Sequence, residues 1–62
     1  MRILVIEDDS ALAYCVRKGL ESEHYAVDVA LDGEQGALMA AELDYDLLIL
    51  DLNLPKPFHL FQ

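Results

Sequence analysis

The sequence predicts an α/β fold in which a parallel sheet is built from strands that alternate with helices. Three observations favour it: two short apolar runs, one segment in which large apolar residues alternate with small or polar ones, and two amphipathic segments between them. The predicted order along the chain is strand, helix, strand, helix, strand, with short connections throughout. Such an alternation is typical of parallel strands joined by right-handed crossovers.

The first strand is predicted from Arg2 to Ile6, a run rich in branched residues that is typical of a strand buried on both faces. The second, from Tyr25 to Leu31, alternates large apolar residues with Ala and Asp28, and the aspartate indicates a strand at the sheet edge. The third, from Leu47 to Leu50, is again fully apolar. Because the first and third strands are the apolar ones, we expect them to be neighbours in the order 2-1-3, which is the start of a flavodoxin-like sheet.

The two helices are predicted from apolar residues that recur near the helical period. The first runs from Ala11 to about Ser22, and Ser10 before it is a start signal. The second runs from Glu34 to Leu43 after an Asp-Gly turn, and Gly36 is expected to be its weak point because glycine disfavours helix interiors.

Composition limits the classes of protein that the chain could represent. Its 62 residues allow one domain at most, and a domain of this length is marginally stable on its own. The net charge of −8, without a cluster of Lys or Arg, argues against nucleic-acid binding. No apolar run approaches the roughly 18 residues of a membrane span, and the start does not resemble a signal peptide. We therefore expect a soluble cytoplasmic protein without membrane contact.

Several single residues are predicted to have structural roles only. Cys15, the one cysteine, lies inside a helical apolar pattern and is expected to be a packed thiol. Tyr14 and Tyr25 are expected to pack at the edge of the core, Tyr45 to lie in a loop and His24 in a turn.

Acidic residues follow both apolar strands. Glu7, Asp8 and Asp9 come directly after the first strand, and Asp51 comes directly after the third. Because the carboxyl ends of parallel strands meet at one edge of a sheet, these side chains are expected to converge. Carboxylates held close together either share protons or recruit a cation, and hard oxygens with room for water suit Mg²⁺. A carboxylate beside that ion can also accept a phosphoryl group.

Two stretches that contain these acids resemble the signature segments of bacterial response-regulator receiver domains, of the kind found in OmpR/PhoB-type transcriptional regulators. They are residues 1–9, Met-Arg-Ile-Leu-Val-Ile-Glu-Asp-Asp, and residues 46–55, Asp-Leu-Leu-Ile-Leu-Asp-Leu-Asn-Leu-Pro. The resemblance covers residues 1–55 and implies the N-terminal half of a CheY-like receiver fold.

The resemblance also implies unequal roles for the acids. By position, Asp51 corresponds to the phosphoacceptor, Asp8 to the direct Mg²⁺ ligand and Glu7 to the acid that holds the ion through water. Asn53 corresponds to the residue whose main-chain carbonyl coordinates the metal, which gives a metal set of Glu7, Asp8, Asp51 and Asn53. Asp9 lies one position past the acidic pair and is expected to cap the first helix. The implied phosphodonor is a sensor histidine kinase or a small phosphoryl donor.

The sequence departs from the family pattern after Pro55. Residues 56–62 form a divergent apolar tail, and the fourth and fifth strands of the family do not follow. In the family, those strands carry the hydroxyl residue and the lysine that hold the phosphoryl group, and also the aromatic residue of the switch. The sequence therefore predicts a receiver fold truncated after the third strand, with the acidic pocket retained and the switch missing.

Three functions are compatible with this pattern. The first is a truncated receiver module of a two-component phosphorelay, which is a signalling module rather than a self-sufficient enzyme. The second is an interaction-only or non-functional fragment that associates, through its exposed sheet edge and apolar tail, with itself or with an intact receiver. The third is an acidic α/β module that binds divalent cations without phosphoryl chemistry.

Overall fold

The computed structural model describes residues 1–50 of the chain. They form five elements: β1 Arg2–Ile6, α1 Ser10–Glu21, β2 Ala26–Ala30, α2 Gly33–Glu42 and β3 Leu47–Leu50. The strands make one parallel sheet in the order β2-β1-β3. The predicted α/β class, the strand order and the three-strand, two-helix content are confirmed, and the helix and strand limits agree within one residue. The predicted tail, residues 56–62, lies outside the described residues.

The register of the sheet assigns each side chain to a face. Leu4 of β1 pairs with Asp28 of β2 and with Leu48 of β3, and Ile6 pairs with Leu50. Paired positions of a parallel sheet project to the same face, and successive residues alternate between faces. Gly36 of α2 lies against Ile6, which places α2 on this face. The other face, with Ile3 and Val5 of β1, is covered by α1.

The core is centred on β1. Its Ile3, Leu4 and Val5 are buried on both faces of the sheet, as predicted, and within residues 1–50 Ala13 of α1 and Ala30 of β2 are the other buried apolar residues. β3 differs from β1 although its sequence is equally apolar. Leu47 is 46% exposed, Leu48 45% and Leu50 61%, because within residues 1–50 only β1 pairs with this strand.

Helix α1 corrects two predictions about side-chain packing. Ala13 is the buried residue of this helix, and two residues turn a helix by about 200°, so Cys15 lies on the far side and is exposed. The prediction of a packed thiol is therefore wrong. Tyr14, predicted to pack at the edge of the core, is also exposed, with its ring 5.8 Å from the Lys18 ammonium. The helical period was recognised correctly, since Leu12, Val16 and Leu20 are all partly buried, but Cys15 lies outside the face that they form.

Both helices begin at an aspartate. Asp9 is the N-cap of α1 and Asp32 is the N-cap of α2, with both backbones in an extended conformation. The predicted turn at His24 is confirmed, and its φ of 72° lies in the left-handed region. There the His24 N–H donates to Glu21 O and the Tyr25 N–H donates to Leu20 O, the paired bonds that close a helix C-terminus.

Gly36 is more than a weak point of its helix. It is buried, and a Cβ built on it would lie 2.7 Å from Cγ1 of Ile6. The missing side chain therefore lets α2 approach the end of β1 closely. In residues 1–50, neither helix is long and apolar enough to cross a membrane.

Candidate functional site

The candidate site begins where β1 ends, at the carboxyl edge of the sheet. Glu7 follows Ile6 and is fully buried, although it carries a carboxylate. Its backbone N–H donates to Ala30 O at 3.0 Å, which continues the pairing of β1 with β2 by one residue. This bond draws Glu7 into the sheet and holds its side chain among the buried groups.

The Glu7 carboxylate takes part in the turn that leads into α1. Its Oε2 accepts a hydrogen bond of 2.9 Å from the Asp9 N–H. Burying a charged carboxylate is costly unless it is hydrogen-bonded or paired with a cation, so glutamate is rarely fully buried in folded proteins. The burial of Glu7 at the carboxyl end of the central strand is therefore the strongest structural sign of a functional site. Asp8, the next residue, is exposed.

Asp9 caps helix α1, as the sequence predicted. Its Oδ1 accepts hydrogen bonds from the Ala11 N–H at 3.0 Å and the Leu12 N–H at 3.2 Å. The carboxylate thus satisfies two of the amide groups that a helix N-terminus leaves unpaired within the helix. The third of the successive acids thus starts the helix, whereas Glu7 and Asp8 directly follow the carboxyl end of β1.

A cavity of about 510 Å³ opens beside this pair, between α2 and the end of the sheet. Its ionisable lining residues in the described part of the chain are Glu7, Asp8 and Asp32. Asp32 was identified in the sequence only as part of a turn, and its Oδ1 accepts a hydrogen bond of 2.7 Å from the Gln35 N–H. The rest of the lining is apolar or glycine: Ile6, Gly33, Gly36, Ala37, Ala40, Leu48 and Leu50.

The predicted metal set is only partly within the described residues. Asp51 and Asn53 lie outside them, and residues 1–50 contain no cluster of three acidic, histidine or cysteine side chains placed to hold a metal ion. Glu7 and Asp8 still fit a Mg²⁺ site by their chemistry, because the ion prefers oxygen ligands and few protein ligands. Ile6 pairs with Leu50, and the residues that follow them in the sequence are Glu7 and Asp51.

A second polar group lies at the opposite, amino end of the sheet, and the sequence did not indicate it. It comprises Arg2, Asp28, Tyr45 and Asp46, here called the amino-end cluster. The Tyr45 hydroxyl donates to Asp28 Oδ2 at 2.6 Å, and the Arg2 guanidinium forms an ion pair of 3.3 Å with the same oxygen. The hydrogen bond to Asp28, followed by burial, raises the pKa of Tyr45 above its ordinary value of 10.0. Tyr45 is a loop residue, as predicted, but it has a specific tertiary contact.

Comparison with known proteins identifies the family. The family model of the response regulator receiver domain matches residues 3–58. The chain is 47% identical over 56 residues to Protein RcaC of Microchaete diplosiphon, a match that covers 90% of this chain and 9% of that protein. It is also 47% identical over 55 residues to the cell cycle response regulator CtrA of Brucella ovis, which covers 89% of this chain and 24% of that protein.

The chain therefore spans a quarter or less of the length of these relatives. No solved structure gave a significant match. The family match covers most of the chain, and the strand order and the acid pair at the end of β1 agree with it. The chain belongs to the response regulator receiver domain family of two-component systems.

Proposed function

We propose that this chain accepts a phosphoryl group on Asp51 in a Mg²⁺-dependent reaction. The single observation that carries the proposal is the fully buried Glu7 carboxylate beside the exposed Asp8, at the carboxyl end of the central strand. The chain acts in this proposal as the acceptor module of a phosphorelay and not as a self-sufficient enzyme.

The different exposure of the two acids supports different roles. Asp8 is exposed and lines the cavity, so its carboxylate can bind an ion directly. Glu7 is buried and already accepts a bond from the Asp9 N–H, which favours a contact through a water molecule. Asp51 and the main-chain carbonyl of Asn53 complete the proposed ligand set. Mg²⁺ suits such a set because it retains several waters and binds few carboxylates.

The chemistry proposed for Asp51 is transfer of a phosphoryl group from a nitrogen or oxygen atom of the donor to a carboxylate oxygen. A carboxylate oxygen of Asp51 attacks the phosphorus of the donor, and an O–P bond forms as the bond from phosphorus to the donor breaks. The donor atom, a histidine nitrogen or an acyl phosphate oxygen, keeps the electron pair. A Mg²⁺ ion held by Glu7 and Asp8 would supply positive charge to offset the negative phosphoryl oxygens in this acidic pocket.

The proposed phosphodonor is a sensor histidine kinase, because receiver domains of two-component systems are phosphorylated by such kinases. The cytoplasm is the compartment that this reaction implies. Direct nucleic-acid binding is not part of the proposal, since the chain carries 12 acidic and only 4 basic side chains. In relatives such as the response regulator CtrA, the matched segment is only 24% of the protein.

The proposal is tested by Mg²⁺ titration and by uptake of beryllofluoride or acetyl phosphate in the wild-type chain. We expect Asp51→Asn to abolish uptake and Asp8→Asn to weaken Mg²⁺ binding by about tenfold to a hundredfold, as for loss of a metal-site partner. Asp44→Asn is the matched control, since it removes the same charge from an exposed loop at the other end of the sheet. Equal uptake by the wild type and Asp51→Asn would disprove the phosphoacceptor role.

A second candidate function, self-association through β3, rests on a different observation. Within residues 1–50 β3 pairs with β1 alone, and Leu47, Leu48 and Leu50 are each more than 40% exposed. An apolar edge strand of this kind offers backbone donors and acceptors to another strand. The occupant that we favour is a second copy of the chain. Sedimentation of the wild type and of Leu48→Lys tests self-association. A wild-type chain that stays monomeric at every concentration contradicts it. The same measurement with an intact receiver added tests that alternative partner.

A further inference from the structure

The sequence of β3 does not specify its own register. A strand with one apolar and one polar face has a preferred register, because a slip by one residue moves every side chain to the other face. β3 reads Leu-Leu-Ile-Leu, so both of its faces are equally apolar. Other contacts must therefore decide which residue of β3 lies beside which residue of β1.

The amino-end cluster provides such contacts immediately before β3 begins. The Asp46 N–H donates to Arg2 O at 2.8 Å, and the Arg2 N–H donates to Asp46 Oδ2 at 2.8 Å. One residue thus pairs with both backbone groups of Arg2, the first residue of β1. A slip of β3 by one position would break both bonds at once.

The same cluster extends across the sheet to β2. The Arg2 guanidinium contacts Asp28 Oδ2 with Nη2 at 3.3 Å and Nε at 3.4 Å, and the Tyr45 hydroxyl donates to that oxygen at 2.6 Å. The Arg2 guanidinium also lies 5.8 Å from the centre of the Tyr45 ring. The contacts form a closed circuit: Asp46 contacts Arg2, Arg2 contacts Asp28, and Asp28 contacts Tyr45, which precedes Asp46 in the sequence.

We propose that the amino-end cluster sets the register of β3 against β1 and thereby sets where the carboxyl end of β3, at Leu50, lies relative to Glu7 and Asp8. Leu50 pairs with Ile6 in this register, and Asp51 follows Leu50 in the sequence. Arg2, Asp28, Tyr45 and Asp46 are thus positioning residues for a reaction at the other end of the sheet. The link to phosphorylation rests on the proposed function, whereas the register can be measured without it.

In this proposal the cluster sets the register of β3 through the geometry of its contacts and not through the strength of one ion pair. The Arg2 and Asp28 side chains are 47% and 32% exposed, and exposed ion pairs add little to stability. The Arg17–Glu21 pair is a natural comparison, with a separation of 3.5 Å and exposures of 44% and 40%. That pair joins two residues of one helix and cannot influence the sheet register.

The experiment compares Asp46→Ala with Asp46→Asn in the 62-residue chain. Alanine removes the acceptor for the Arg2 N–H, whereas asparagine retains a carbonyl oxygen at that place. We expect Asp46→Ala to weaken Mg²⁺ binding by the folded fraction, because a shifted β3 would bring a different residue beside Glu7 and Asp8. Asp46→Asn is expected to retain most of the Mg²⁺ affinity of the wild type. The folded fraction comes from urea denaturation of each variant.

Tyr45→Phe and Tyr14→Phe form the second, matched pair. Both remove one tyrosine hydroxyl, but only Tyr45 belongs to the cluster, and Tyr14 is 56% exposed on α1. We expect Tyr45→Phe to lower Mg²⁺ affinity and the rate of phosphorylation by acetyl phosphate, and Tyr14→Phe to change neither. A loss of stability without a change in either quantity would mean that the cluster is only structural and would overturn the positioning role.

A direct measurement of register separates this proposal from the proposed function. Backbone nuclear Overhauser contacts between β1 and β3 report the pairing of Ile3 with Leu47 and of Val5 with Ile49. We expect these contacts to weaken or shift in Asp46→Ala and to remain in Asp46→Asn. If the wild-type chain binds no Mg²⁺, the proposed function fails but the register is still tested. If Asp46→Ala keeps every contact of the wild type, the register proposal fails whatever the chain binds.

Discussion

The two ends of the sheet use charged residues in opposite ways. At the amino end, Arg2 offsets the acidic charge and the polar groups contact one another across three strands. At the carboxyl end, acids stand together beside a cavity of about 510 Å³, and one of them is fully buried. A cluster in which an ion pair and hydrogen bonds join the polar groups stabilises one geometry, whereas a group of like charges gains by binding a cation. The difference separates an end that positions the strands from an end suited to chemistry.

The largest effect is expected from a change between the two ends. Leu4 is fully buried at the centre of β1, and Leu4→Ala should lower the free energy of unfolding by about 2–5 kcal/mol. In so small a domain, this loss should abolish the fold and with it both ends of the sheet. Circular dichroism and urea denaturation check it. A folded Leu4→Ala variant with a wild-type midpoint would show that the core is not centred on β1.

The next effect isolates the carboxyl end. At 100 times its dissociation constant, Mg²⁺ should raise the free energy of unfolding by about 2.7 kcal/mol if it binds only the folded chain. Asp8→Asn should remove most of this increase, while Asp44→Asn, in the exposed loop before β3, should retain it. Thermal melts with and without the ion measure both. A similar response to Mg²⁺ in Asp8→Asn and the wild type would exclude Asp8 as a ligand.

A smaller effect separates the third acid from the site. Asp9 accepts the Ala11 and Leu12 N–H groups, so Asp9→Ala should cost about 1 kcal/mol of stability through loss of the N-cap. The Asp9 N–H that donates to Glu7 belongs to the backbone and is retained. Mg²⁺ affinity, corrected for the folded fraction, should therefore stay unchanged. A loss of affinity as large as that of Asp8→Asn would assign Asp9 to the pocket.

The contact between Gly36 and Ile6 is expected to show coupling of about 1 kcal/mol. Alanine in place of Gly36 would gain helix propensity of about 1 kcal/mol, but its Cβ would meet the Ile6 side chain. Ile6→Val removes the δ-methyl, so Gly36→Ala should stabilise the Ile6→Val variant more than it stabilises the wild type. A double-mutant cycle on urea midpoints measures the difference. Strict additivity of Gly36→Ala and Ile6→Val would contradict the close approach.

The smallest effect concerns pH at the amino end. The pKa of Tyr45 is raised in the folded chain because its neutral hydroxyl donates to Asp28. The contribution is therefore fully present below the unfolded pKa of about 10, and it is lost as the pH rises through the higher folded value. Stability of the wild type should therefore fall more steeply than that of Tyr45→Phe as the pH rises above about 10. Parallel pH profiles for the two proteins would contradict the hydrogen bond.

Local patterns predicted much of this molecule. The apolar runs placed β1 and β3, the alternation around Asp28 placed β2 at an edge, and the position of Asp9 predicted a helix cap. These predictions succeed because period, capping and strand burial depend on neighbours in the sequence. Cys15 was predicted wrongly because Cys15 and Val16 are adjacent and both fit the helical period at the border of the apolar face, and Val16 is the one that is partly buried. Only contact with the sheet chooses between them.

The amino-acid sequence by itself determined the α/β class, the 2-1-3 order and the acids that follow two strands, because these depend on periodicity and on the order of elements along the chain. The tertiary structure decided which residues meet across long separations. Tyr45 reaches Asp28 over 17 residues and Arg2 meets Asp46 over 44, contacts that exist only once β1 lies between β2 and β3. It also decided that Glu7 is buried while Asp8 is exposed, since the sequence shows only two adjacent acids and the fold gives each its own surroundings.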